Sequence, residues 1–457
     1  MGDFAQARRA RQDSQDGMKK GFYWIMAAQF FSSLADNALL IAAIALLVQL
    51  KAPGWMTPLL KFFFTVSYVM LAPFVGGFAD SLQKGQVMLI TNLVKLAGLL
   101  TMLFGAHPLL AYAVVGLGAA AYSPAKYGIL TELLPPQQLV AANGWIEGTT
   151  VSSIILGTVL GGFLVSREAS DWLLGQAPLQ WLHVQGAAGA ALALISLVYV
   201  VAAACNLRIP DTGARYPHQT ANPARQLVEF VHCMRVLWSD KLGQISLAVT
   251  TLFWGAGATL QFIVIKWSEA ALGLNLSNAA ALQATVAFGV ALGAVLAATR
   301  VPLRNSLRVL PVGLGMGVVC MVVALYTRSM VPELQFSVGR LQVPLYLLLA
   351  GVFMVMIGAM AGYFVVPMNA LLQHRGYVLL SAGHSIAVQN FNENLSVLAM
   401  LGMYSLLISV NLPVRATMLL FGVFIVLSMW LVMRWNARNM RQRDWTLLIG
   451  EPRHPAP

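Results

Sequence analysis

The chain has 457 residues, of which 58% are hydrophobic and only 10% charged. A soluble domain carries about 25% charged residues, so this composition excludes a water-soluble domain and marks a membrane protein. The net charge of +12 is therefore no nucleic-acid signal, and Cys205, Cys233 and Cys320 are too few and too scattered for a disulfide framework or a zinc site.

Residues 1–20 are polar and basic, and the apolar run after them is too long for a signal peptide. They read as a mobile cytoplasmic tail. Apolar runs then predict membrane helices over 21–50, 58–80, 86–106, 108–133, 138–165 and 180–207. A second set follows over 244–268, 278–299, 307–327, 342–372, 377–410 and 412–433. That is about twelve crossings of roughly 20 residues each. Barrel strands would alternate in short segments, and the run Leu341–Gln373 does not. An all-α membrane protein is expected.

The segment Arg208–Gly243 divides the spans into two groups. Pro210, Asp211, Gly213, Pro217 and Pro223 make its first half irregular. In its second half Leu227, Phe230, Val231, Met234, Leu237 and Trp238 recur at helical spacing, opposite Arg225, Glu229, His232 and Arg235. An amphipathic helix is expected there, lying on the inner leaflet or packed on the bundle ends. The expected organisation is tail 1–20, six-helix half 21–207, linker 208–243, six-helix half 244–435 and tail 436–457. Most Lys and Arg fall in the termini and in alternate loops. Lys51, Lys61, Arg167, Arg328, Arg340 and Arg415 fall on the other side. The positive-inside rule then puts both ends in the cytoplasm.

Asp36 is the only Asp, Glu, Lys or Arg between Gly21 and Leu50. A charge at mid-membrane costs roughly 2.5–3.5 kcal/mol. It is kept where it faces a polar pathway, or where it pairs with a lysine of another helix. Asn37 adds a second polar group at the same depth. Glu393 is likewise the only such residue between Arg375 and Arg415, within Gln389-Asn390-Phe391-Asn392-Glu393-Asn394. Carboxamides in membrane helices commonly join helices, but a patch this polar points to a cavity.

The loop after the second span reads Gly76-Gly77-Phe78-Ala79-Asp80-Ser81-Leu82-Gln83-Lys84-Gly85. It resembles the loop signature of the major facilitator superfamily. A glycine there lets two helices approach, and Asp80 can accept from a helix amino end while pairing with a cation such as Lys84. That would latch the cytoplasmic side. The match is partial, because Ser81 and Gln83 stand where Arg and Gly are common. The second half has Gly293 but Ala297 in the matching places. Weak repeats agree with two related halves: Phe30–Asn37 with Phe253–Leu260, Pro124 with Pro367, and Asn143-Gly144 with Ala382-Gly383.

A more specific set is Gly118-Ala119-Ala120-Ala121-Tyr122-Ser123-Pro124-Ala125-Lys126-Tyr127-Gly128, with Ala35-Asp36-Asn37-Ala38, Phe253-Trp254-Gly255, Phe364-Val365-Val366-Pro367-Met368-Asn369 and Ala387-Val388-Gln389-Asn390. From about Lys19 to about Trp435 the chain closely resembles the bacterial lysophospholipid transporters of the major facilitator superfamily. The resemblance implies a twelve-helix major facilitator fold of two six-helix halves in the inner membrane. It implies movement of lysophosphatidylethanolamine and lysophosphatidylglycerol from the outer to the inner leaflet, for re-acylation by an acyltransferase system on the cytosolic face. No cofactor, metal or nucleic acid is expected.

Such a cargo needs acidic groups for an amine and a cation or amides for a phosphate. The candidates are Asp36, Asn37, Lys126, Gln261, Gln389, Asn390, Glu393 and Asn394. Gly76, Asp80, Lys84, Glu132 and Glu147 are the gating candidates. Lys126 is either a phosphate partner or the partner of Glu132 or Glu147. Gln261 stands where these relatives have an arginine, which bears on headgroup preference. Met354, Met356, Met360, Phe353, Phe364 and Phe391 could line an acyl slot.

A rival is a proton-coupled exporter of the same superfamily, using Asp36 and Glu393 as proton carriers. An acyltransferase enzyme is disfavoured. None of His107, His183, His218, His232, His374, His384 and His454 has Asp five residues on, as such an enzyme would need for its general base.

Overall fold

The computed structural model describes residues 2–53, 56–176, 186–217, 219–220, 222–274, 276–338 and 341–450. Among them are fourteen α-helices: α1 (Gly2–Gln49), α2 (Met56–Ser81), α3 (Lys84–Leu103), α4 (Pro108–Leu133), α5 (Leu139–Leu164), α6 (Arg167–Leu174), α7 (Gly186–Asn206), α8 (Pro223–Ser239), α9 (Gly243–Leu272), α10 (Leu276–Arg300), α11 (Leu310–Leu325), α12 (Leu345–Leu379), α13 (Ala382–Ser409) and α14 (Val414–Gln442). Twelve segments among the described residues are long and apolar enough to cross a membrane. In lipid a helix alone satisfies its own backbone, and this chain supplies helices almost throughout.

Two compact units form. The first holds Met1–Leu134, Ser152–His232 and Leu380–Val388; the second holds Pro135–Val151, Cys233–Leu379 and Gln389–Pro457. In the first, α1 packs on α7, and α4 packs on α2 and α3. Its core includes Leu39, Leu60, Leu99, Val115, Ile195 and Tyr199. In the second, α10 packs on α12 and α11 on α14, around Val249, Trp267, Cys320, Met354, Phe364 and Ile425. Phe163, Leu156, Phe288 and Leu427 are exposed on the spans, as lipid-facing side chains are.

Backbone contact sets the α10–α12 pairing. A Cβ on Gly293 would lie 2.0 Å from the carbonyl oxygen of Ala359, and one on Gly358 would lie 2.1 Å from that of Val286. Gly289 and Gly362 meet the partner backbone in the same way. This is small-residue packing of membrane helices. It explains Gly293 without any need for a second loop signature. Gly293→Leu should destabilise the second unit by about 3 kcal/mol, the upper end for overpacking. A parental melting temperature for the purified variant would contradict this.

Four expectations change. Residues 2–20, read as a mobile tail, continue α1 as helix; their Ala, Arg, Gln and Lys favour helix and no proline interrupts them. The tenth span does not start at 342. Gln335–Val338 and Leu341–Pro344 pair as an antiparallel hairpin, and α12 follows it. Phe336 and Val338 flank Ser337, and Leu341 and Val343 flank Gln342, which is a strand period. At its other end α12 runs past 372, because His374 and Arg375 find partners within the second unit. Arg375 donates to Asp240 at 2.7 Å, and His374 Nε2 accepts from the Gly450 N–H at 2.9 Å. Finally, α14 extends past 433 to Gln442. The expected start of the sixth span at 180 and the tail end at 451–457 lie outside the described residues.

Residues 209–217 are irregular and Pro223–Ser239 is helical. Phe230, Cys233 and Leu237 of that helix are buried, while Leu227, Val228 and Val231 are exposed.

Candidate transport site and latch

Asp36 lies on α1 and is paired. Lys95 Nζ on α3 donates to both carboxylate oxygens, at 2.8 and 3.1 Å, and the Tyr199 hydroxyl on α7 donates at 2.5 Å. The Lys95 ammonium also donates to Ser32 Oγ at 2.8 Å, and Ser32 donates to Asn92 Oδ1 at 2.7 Å. The side chain of Lys95 is 2% exposed and that of Asp36 is 19% exposed. Asn37 donates to the Ser33 carbonyl. Of the two uses foreseen for Asp36, the lysine pair is present.

Sequence reasoning passed over Lys95. It is the only Asp, Glu, Lys or Arg between Lys84 and Lys126. Like Asp36, it is a lone charge at the middle of an apolar span.

Asp80 ends α2 with its side chain fully buried. It accepts from the backbone N–H of Gly383 at 2.9 Å and of His384 at 3.3 Å, both in the first turn of α13. Lys84 donates to it at 2.7 Å, and Ser381 Oγ also donates. His384 Nδ1 lies 3.0 Å away. A carboxylate at a helix amino end is favoured by the unpaired N–H groups and the helix dipole. Gly76 allows the approach: a Cβ there would sit 2.9 Å from His384 Cα. Lys84 also lies 3.3 Å from Glu132, which accepts from Thr212 Oγ1 and the Tyr216 hydroxyl at 2.7 Å each.

The irregular start of the linker is thus tied down. Asp211 accepts from Gln83 at 2.8 Å and from Arg215 at 2.7 Å. The Arg215 hydrogen bonds, with the Gly213 N–H, hold the Asp211 carboxyl at about 2. It stays charged at any physiological pH, so this tie does not titrate.

In the second unit Gln389 donates to Glu393 at 2.8 Å and to Asn369 at 3.1 Å, all three buried. Asn394 donates to the Asn390 carbonyl, and Asn390 is buried. Gln261 on α9 is partly buried. Asn143 and Gln373 exchange two amide hydrogen bonds, at 2.8 and 2.9 Å, and Glu147 is buried. In the first unit Lys126 Nζ lies 4.2 Å from the Tyr127 ring centre. Asp36, Asn37, Lys126, Asp80, Lys84 and Glu132 belong to the first unit. Gln261, Gln389, Asn390, Glu393, Asn394 and Glu147 belong to the second.

Residues 25–399 match the model of the Major Facilitator Superfamily. The lysophospholipid transporter LplT of Yersinia enterocolitica is 43% identical over 401 residues, which is 87% of this chain and 90% of that protein. LplT of Yersinia pestis is 43% identical over 86% of this chain and 88% of its own length. The chain belongs to the lysophospholipid transporter family of the major facilitator superfamily. It is a multi-pass membrane protein. Solved structures of low identity share the fold. A bacterial homologue of the iron transporter ferroportin, in an outward-facing state, aligns with a TM-score of 0.66 at 14% identity, covering 92% of this chain and all of that one. The human organic anion transporter MFSD10 aligns with a TM-score of 0.63 at 14% identity, covering 91% of this chain and 99% of that one.

Proposed function

We propose that this transporter carries lysophosphatidylethanolamine and lysophosphatidylglycerol from the outer to the inner leaflet of a bacterial inner membrane, with both termini cytoplasmic. An acyltransferase on the cytosolic face would then restore the second chain. The carrying observation is the 43% identity to LplT along nearly the whole of both chains. The buried Asp36–Lys95 pair fits a charged headgroup, and the Asp80 cluster fits a gate on the cytoplasmic side. Uptake of labelled lysophosphatidylethanolamine into cells lacking their own carrier is the test. Uptake no greater than with an empty vector counts against the reading. Uptake that vanishes when the proton gradient is collapsed favours a proton-coupled carrier.

In this reading Asp36, Asn37, Lys126, Gln261, Gln389, Asn390, Glu393 and Asn394 serve the cargo, and Gly76, Asp80, Lys84, Glu132 and Glu147 serve the gate. Gln261 offers hydrogen bonds without charge. Gln261→Arg should leave the protein folded and shift uptake toward lysophosphatidylglycerol, because a cation attracts phosphate strongly in a low-dielectric site. An unchanged ratio of the two uptake rates removes Gln261 from the headgroup site.

A further inference from the structure

The seventh span, α9, carries a polar face that turns away from the core of its own unit. Ser246, Thr250, Thr259 and Ser268 each donate to a carbonyl of their own helix, a common use of hydroxyls inside helices. Thr251 does not. Its Oγ1, the Trp254 Nε1 and the Gln244 Nε2 are buried and have no hydrogen-bond partner among the described residues. At about 100° per residue, Gln244, Thr251, Trp254 and Gln261 fall within an arc of about 100°. The opposite side of the helix bears Val249, Ala256, Leu260 and Ile263, which belong to the hydrophobic core of the second unit. Beside the polar arc, between Trp254 and Gln261, lies Gly257, where a Cβ would meet nothing within 4 Å. The helix surface is open there.

Orphaned buried polar groups are costly and few in folded proteins, so three on one stripe call for a ligand. A stripe facing lipid would be apolar. The Trp254 and Gln244 nitrogens only donate, the Thr251 hydroxyl can donate, and the stretch from Gln244 to Gln261 holds no acidic residue. Such a set complements a group with several acceptor oxygens. We propose that this face binds the phosphate of the lysophospholipid and passes it along the second unit, from Gln261 by way of Trp254 and Thr251 to Gln244. The proposed topology puts Gln244 at the cytoplasmic end of α9. This rests on the lysophospholipid reading and extends the cargo site beyond Gln261 by roughly 25 Å of helix, at about 1.5 Å per residue. Neutral donors hold an anion through charge-assisted hydrogen bonds but give it no countercharge, so each step binds and then lets go. The ethanolamine and glycerol headgroups share the phosphate, so one face serves both lipids.

The test sets uptake of labelled lysophosphatidylethanolamine and lysophosphatidylglycerol, in cells lacking their own carrier, beside thermal melting of the purified full chain. Trp254→Phe keeps an aromatic ring and loses the N–H. Thr251→Val keeps the shape and loses the hydroxyl. Neither removes a hydrogen bond within the protein, so each variant should melt at or above the parental temperature. Each should lower the maximal uptake rate, per transporter in the membrane, at least about fivefold for both lipids, and the double variant at least about twentyfold. Parental rates in the double variant overturn the proposal. So does a fall confined to one lipid, because the phosphate is common to both. A fall matched by a lower melting temperature means that these groups brace the helix, and overturns it as well. If Trp254→Phe does not reach the membrane, Thr251→Val decides by the same criteria. A parent that takes up neither lipid defeats the lysophospholipid reading itself, and the path with it.

Discussion

Asp36→Ala should strongly impair lysophospholipid uptake and also lower stability, by about 3–5 kcal/mol, the cost of stranding one member of a buried ion pair. The stranded group is Lys95, 2% exposed at its side chain. The structure separates the two effects. Adding Lys95→Met removes the orphaned charge and restores an apolar fit, so the melting temperature should return most of the way while uptake stays lost. Thermal melting and uptake measured on the parent, the single and the double variant check this. If the double variant recovers uptake along with stability, the pair is a structural brace and plays no part in moving lipid. If the single variant melts like the parent, Lys95 has found another anion and the pairing is wrong.

The fold was legible because lipid leaves few options. Long apolar runs must be helices, and the count of spans follows from length alone. The ends were harder. His374 and Arg375 look like loop residues until Asp240 and the Gly450 N–H are seen to satisfy them inside α12. The hairpin over Gln335–Pro344 was hidden because its apolar residues run straight into the next span, and hydropathy averages over the change of period. Asp36 stood out as a lone deep charge. Lys95 carries the same signal at the middle of α3, but nothing in either segment says that the two helices bring these charges together. The partners of Glu132 were illegible: Thr212 and Tyr216 come from an irregular linker some 80 residues away, and nothing in its sequence says where it folds back.

Asp80→Asn should loosen the contact between α2 and the first turn of α13 while leaving each unit folded. The asparagine keeps one acceptor oxygen and loses the charge. Asp80 now accepts from the N–H groups of Gly383 and His384 and from Ser381 and Lys84. Charge-assisted hydrogen bonds are worth about 1.5–3 kcal/mol, and Lys84 keeps Glu132 at 3.3 Å, so the net loss should be near 2 kcal/mol. That shifts a two-state equilibrium by about thirtyfold. Cys205, Cys233 and Cys320 are buried, so an added cysteine reports on its own site. Ala79, beside Asp80, is fully buried. In an Ala79→Cys background, Asp80→Asn should raise thiol labelling at residue 79 at least about tenfold and slow uptake. Lys84→Met should raise labelling less, because the helix amino end of α13 would still hold the Asp80 carboxylate. Equal labelling with and without Asp80→Asn would mean that the carboxylate fastens a permanent joint, and the gate would have to be sought elsewhere.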